Sequence, residues 1–149
     1  FLITHAVLIC IGWNPKNSIC MANTNGINRI FIKGTSKTPE IDFAPGNLQI
    51  SGRSIPEDAA SFFNPIVRWL ENYLIKPEML TKVVFKIEYI NSGSNRYIYT
   101  ILRLLDESFK SGNNVKISWY FEEDDDTIKS LGKDLQTFLS IPVSMVEIT

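Results

Sequence analysis

From position 83 onward, Val83, Phe85, Ile87 and Tyr89 alternate with Val84, Lys86, Glu88 and Ile90. This period of two predicts a strand with one apolar face. Further on, Ile98, Ile101, Leu102, Leu105 and Phe109 recur every three or four residues, the stripe of an amphipathic helix. Between the two patterns stand Asn91, Ser92, Gly93, Ser94 and Asn95, all small and polar. They predict a short loop where a central strand hands over to a helix, the place where open α/β sheets put their working groups.

The same patterning divides the rest of the chain. Residues 29–33 (RIFIK), 40–43 (EIDF) and 47–51 (NLQIS) are short apolar runs, the last two separated by Ala44-Pro45-Gly46. Pro presets φ for the first turn position and Gly accepts positive φ at the next, so an antiparallel ribbon is expected. Residues 34–38 (GTSKT) lack the upstream glycine and the Gly-Lys step of a phosphate-binding loop, and read as a plain turn. Ser54 and Glu57 match a capping box, which predicts a helix from that point with Ala59, Phe62, Phe63, Ile66, Val67, Leu70, Tyr73 and Leu74 on its apolar stripe. Pro65 should kink or split it, and Pro77 ends it. Its aromatics, Phe62, Phe63, Trp69 and Tyr73, read as core rather than as a ligand groove. Val115, Ile117, Trp119 and Phe121 predict another strand, and Ile128, Leu131, Leu135 and Phe138 a third helix. After Pro142, residues 143–148 read as a last strand. Antiparallel strands followed by αβαβαβ predict an α/β fold with a mixed, largely parallel sheet; helices mainly on one face are expected, although periodicity alone does not fix that.

Composition narrows the function. The 149 residues are 44% hydrophobic and 21% charged, enough for one domain with a core. A net charge of −1 supplies no basic surface to neutralise phosphates, so nucleic acid is not an expected partner. The one histidine, His5, and both cysteines, Cys10 and Cys20, lie in the first twenty residues. A folded domain without that segment has no Cys–His pair, no His-based triad and no soft-ligand zinc site. The apolar run over residues 1–13 is shorter than the roughly 20 residues of a spanning helix, so no membrane insertion is expected. Residues 1–20 read as a non-native or disordered upstream extension and residues 21–149 as a single cytoplasmic domain; the competing reading is a truncated export signal.

Several stretches together resemble the SiaC family of bacterial regulatory phosphoproteins, whose fold is similar to STAS domains. They are TPEIDF over 38–43, ISGRSIPEDA over 50–59, FFNPIVRWL over 62–70, YINSGS over 89–94 and WYFEEDD over 119–125. The resemblance implies a non-enzymatic partner switch without a cofactor. In this family a Ser or Thr after the central strand is phosphorylated by a kinase with a histidine-kinase-like ATP domain and is dephosphorylated by a PP2C-type phosphatase. One phosphorylation state binds an effector, such as a diguanylate cyclase. Carried onto this chain, the acceptor is Ser92, with Ser94 as fallback. Ser92 stands where Thr is frequent in the family, and Gly93 where a second hydroxyl is usual.

A phosphate on Ser92 would sit near a helix N-terminus, whose free amides and dipole favour an anion. If the next strand lies beside the central one, Glu122, Glu123, Asp124 and Asp125 emerge at the same sheet edge. Together with Asn91, Ser92, Gly93, Ser94, Asn95 and Arg96 they form the expected partner-binding surface. On the residues alone, one of the two serines reads more readily as an N-cap. An alternative of a different class is a Mg²⁺-dependent phosphoacceptor or hydrolase using the acids over 122–126, because hard oxygen ligands at a strand end suit that ion.

Overall fold

The computed structural model describes residues 8–10, 19–24 and 27–149, with side chains from Arg29 onward. Most of the expected upstream extension lies outside the described residues. Eight strands and three helices follow one another as β1 (Leu8–Cys10), β2 (Ile19–Thr24), β3 (Ile27–Ile32), β4 (Glu40–Ala44), β5 (Asn47–Ser54), α1 (Ala59–Tyr73), β6 (Thr81–Ile90), α2 (Ser92–Lys110), β7 (Val115–Glu122), α3 (Asp126–Phe138) and β8 (Val143–Ile148). They form one sheet in the order of the chain. The strands from β1 to β5 pair antiparallel, and those from β5 to β8 pair parallel.

Chirality explains the layering. A parallel crossover is right-handed in nearly all proteins, and the three crossovers here all step the same way across the sheet, so α1, α2 and α3 share one face. Burial alternates accordingly along β6, where Val83, Phe85 and Ile87 are sealed under the helices and Lys82, Lys86 and Glu88 are exposed. The core between the layers holds Phe43, Phe63, Phe85 and Trp119, all fully buried. All four aromatics of α1 are buried, as the core reading expected. The Pro45-Gly46 turn joins β4 to β5 with Gly46 at φ 82, and Thr35 Oγ1 accepts the amides of Lys37 and Thr38 in the plain turn between β3 and β4.

Three expectations need correction. The capping box does not form: Ser54 is the last residue of β5, paired with Ile90 of β6, and the N-cap of α1 is Asp58, whose Oδ1 accepts the Ser61 amide at 3.1 Å. Pairing with β6 carries the chain past Ser54 before it can turn. Pro65 does not split α1, which is one helix of 15 residues. The five-residue polar loop shrinks to Asn91 alone, because the residues from Ser92 onward already belong to α2.

Candidate functional site

Because β5, β6 and β7 run parallel, their C-terminal ends meet at one edge of the sheet, with Ser54, Asn91 and Glu122 close behind one another in the pairing. Asn91 organises this edge. Its backbone is extended, its Oδ1 accepts the Ser94 amide at 2.8 Å, and its own amide donates to the Ser54 carbonyl at 3.0 Å. The N-cap is therefore Asn91, and neither serine is needed for that task.

The two serines have opposite environments. Ser92 is exposed in the first position of α2. Ser94 is fully buried. The Ser94 hydroxyl accepts from Ser54 Oγ at 2.8 Å and donates to the Ser54 carbonyl at 3.2 Å, which pins the start of α2 to the end of β5. A kinase cannot reach that hydroxyl without opening the fold, so Ser94 does not suit the fallback role. Gly93 is exposed, and a Cβ placed there would come no nearer than 3.7 Å to Asn91 Oδ1 and 3.9 Å to Ala59 Cβ. Packing therefore leaves room for the side chain that the resemblance leads one to expect at this position. Arg96 is exposed, with its guanidinium 5.5 Å from the Tyr97 ring centre.

The acidic run follows the end of the next strand, β7, which pairs parallel with β6 and ends at Glu122. Asp125 caps α3 through a 3.0 Å bond from the Ile128 amide. Glu122, Glu123, Asp124 and Asp126 are exposed. Among the described residues, no three His, Cys, Asp or Glu converge on a point that could hold a metal ion. The run thus caps and charges a helix start. No helix among the described residues is long and apolar enough to cross a membrane.

An open cleft of about 640 Å³ separates the β6–α2 junction from α3. It is lined by Glu88, Tyr89, Ile90, Asn95, Asp125, Asp126, Thr127, Ile128, Ser130, Leu131 and Asp134. Of the expected surface, only Asn95 and Asp125 line this cleft. Sequence reasoning missed Glu88 and Asp134, although the spacing of Asp126, Ser130 and Asp134 at i, i+4 and i+8 already marks one face of a helix. It also missed Ser54, whose role depends on a contact 40 residues away.

The SiaC family model, described as a regulatory phosphoprotein family, matches residues 32–148. An uncharacterized protein of Pseudomonas aeruginosa strain UCBPP-PA14 is 26% identical over 118 residues, which is 78% of this chain and 94% of that protein. Among solved structures, one similar chain occurs in the crystal structure of the diguanylate cyclase SiaD in complex with its activator SiaC from P. aeruginosa. It has a TM-score of 0.74 and 26% identity, covering 79% of this chain and 98% of that one. SiaC of P. aeruginosa solved separately has the same fold, with a TM-score of 0.75 at 24% identity over 80% of this chain and 98% of that one. With the model spanning most of its length, including the strand edge and both serines, the chain belongs to the SiaC family of regulatory phosphoproteins.

Proposed function

We propose that this chain is a non-enzymatic, cytoplasmic partner-switching protein whose domain over residues 21–149 is controlled by reversible phosphorylation of Ser92. A kinase with a histidine-kinase-like ATP domain would add the phosphate, a PP2C-type phosphatase would remove it, and the effector would be a diguanylate cyclase. The observation that carries the reading is the position of Ser92: exposed, first in α2, at the end of a strand flanked by parallel neighbours. Family membership and the similar chain in the SiaD–SiaC complex support the type of partner.

The local chemistry suits a switch. A phosphate on Ser92 brings about −1.5 to −2 charges to the positive end of a helix dipole, so the fold tolerates it. A partner packed over the same residue would have to bury that charge, which is costly without a matching cation. Phosphorylation therefore changes docking rather than folding. The test is a binding assay between the effector cyclase and the chain carrying Ser92→Ala or Ser92→Asp. The alanine variant is expected to bind constitutively and the aspartate variant poorly; equal binding by both would contradict the proposal.

A further inference from the structure

We infer that the sheet face turned away from the helices is the interface of a two-fold symmetric dimer, covered by a second copy of this chain with its strands reversed. The inference concerns this broad face and not Ser92, and it holds whether or not that residue is modified.

The pleat decides what the face presents. With Val83, Phe85 and Ile87 turned to the helices, β6 turns Lys82, Val84, Lys86 and Glu88 the other way. On β7 the same alternation turns Lys116, Ser118, Tyr120 and Glu122 to that side. Parallel strands ordinarily have both faces covered. Here all three helices lie on one side, and Val84, Tyr120 and its register partner Val146 keep part of their apolar area in solvent on the other.

Charge is sorted along that face. At the N-terminal ends of β6 and β7, Lys82 and Lys116 are register partners, and like charges held side by side are unfavourable. Neither is matched by an acid: Asp42, which shares a groove with Lys82, is already bound to Arg29 at 2.7 Å. At the C-terminal ends, Glu88 and Glu122 line an open groove of about 570 Å³ together with Glu40. None of these three carboxylates forms an ion pair among the described residues. Lys86, the one cation of that groove, instead holds its Nζ 4.7 Å from the Tyr120 ring centre.

The spacing of these charges suits a symmetric contact. Glu88 lies six residues beyond Lys82, and Glu122 six beyond Lys116, which is about 20 Å along an extended strand. The midpoints of the two intervals are Phe85 and Trp119, themselves register partners. A two-fold axis crossing the strands at that level brings the lysine pair of each copy over the carboxylate pair of the other, on both strands at once. The same operation lays Val84 against the stem of Lys86 and Ser118 against Tyr120. Such a contact is isologous, with the sheets about 10 Å apart as in aligned packing. With the strands parallel, lysines would face lysines, so charge selects the reversed arrangement.

The test is sedimentation equilibrium of the full chain at low and at high NaCl. The wild type is expected to form a dimer that weakens as salt screens the charges. Lys82→Glu with Lys116→Glu, and separately Glu88→Lys with Glu122→Lys, should each weaken self-association by about tenfold or more, since each sets like charges across the interface. Mixing the two variants should restore a dimer, because one copy is then acidic at both ends and the other basic at both. Should either reversal fail to fold by circular dichroism, Lys82→Gln with Lys116→Gln and Glu88→Gln with Glu122→Gln should still each weaken the dimer. A wild-type chain that stays monomeric at low salt, a dimer indifferent to these substitutions, or folded reversal variants that do not pair on mixing would overturn the inference.

Discussion

Ser92 and Ser94 are two residues apart and differ in everything that matters for a switch. One hydroxyl faces solvent; the other closes a buried pair with Ser54. Ser94→Ala should leave Ser54 Oγ without its buried acceptor and cost about 1–3 kcal/mol in urea unfolding, while phosphorylation at Ser92 persists. Ser92→Ala should behave oppositely, with wild-type stability and no phosphate. Asn91→Ala removes the α2 cap, and a loss of about 1 kcal/mol in the same unfolding assay is expected; an unchanged midpoint would contradict the assigned cap. At Asp58, hydrogen bonds from the Ser61 hydroxyl and amide hold the carboxyl below the usual carboxylate range. A lowered folded pKa stabilises fully above the unfolded value near pH ~4 and is lost as pH falls through the folded one. The stability gap between wild type and Asp58→Ala, followed by thermal unfolding, should therefore shrink on acidification; a gap independent of pH would refute the charge-linked cap.

Elements were more legible than their ends. The period-two and period-3.6 patterns located the strands and helices from β3 onward, because each buries one face against a single core. Boundaries depended on partners that periodicity does not carry. Ser54 has the residue type of an N-cap, but its backbone continues the parallel ladder with β6 after a register shift at Gly52 and Arg53. The helix start consequently moves to Asp58. Similarly, the polar run after β6 looked like a loop because its residues are small, whereas Asn91 alone makes the turn. Contact between α3 and the sheet was equally invisible: Gly132 lets the helix approach Trp119 and Met145 so closely that a Cβ would overlap the Trp119 ring and lie 2.7 Å from Met145 Sδ. Gly132→Ala should therefore cost about 1–3 kcal/mol through overpacking, measured by chemical unfolding, despite the better helix propensity of alanine. A stabilised variant would show that α3 can shift freely.

On the scale of the whole molecule, right-handed crossovers put all three helices on one face and bring the ends of β5, β6 and β7 to one edge. That edge gathers an exposed serine at a helix N-terminus, a run of mostly exposed carboxylates and a cleft beside α3. The position of the serine was visible in the sequence, since a strand followed by a small polar run and an amphipathic helix marks it. The cleft was not, because it depends on how α3 lies beside the end of β6. Under the proposed switch, recognition falls on this one edge, above the buried core.

The proposed switch stands or falls on whether Ser92 carries the regulatory phosphate. The most direct measurement is intact mass followed by phosphopeptide mapping of the chain purified from its own cells, with and without PP2C-type phosphatase treatment. One phosphate is expected, located on Ser92 and removed by the phosphatase. A chain that stays unmodified in cells lacking the phosphatase, or a phosphate confined to another residue, would contradict it.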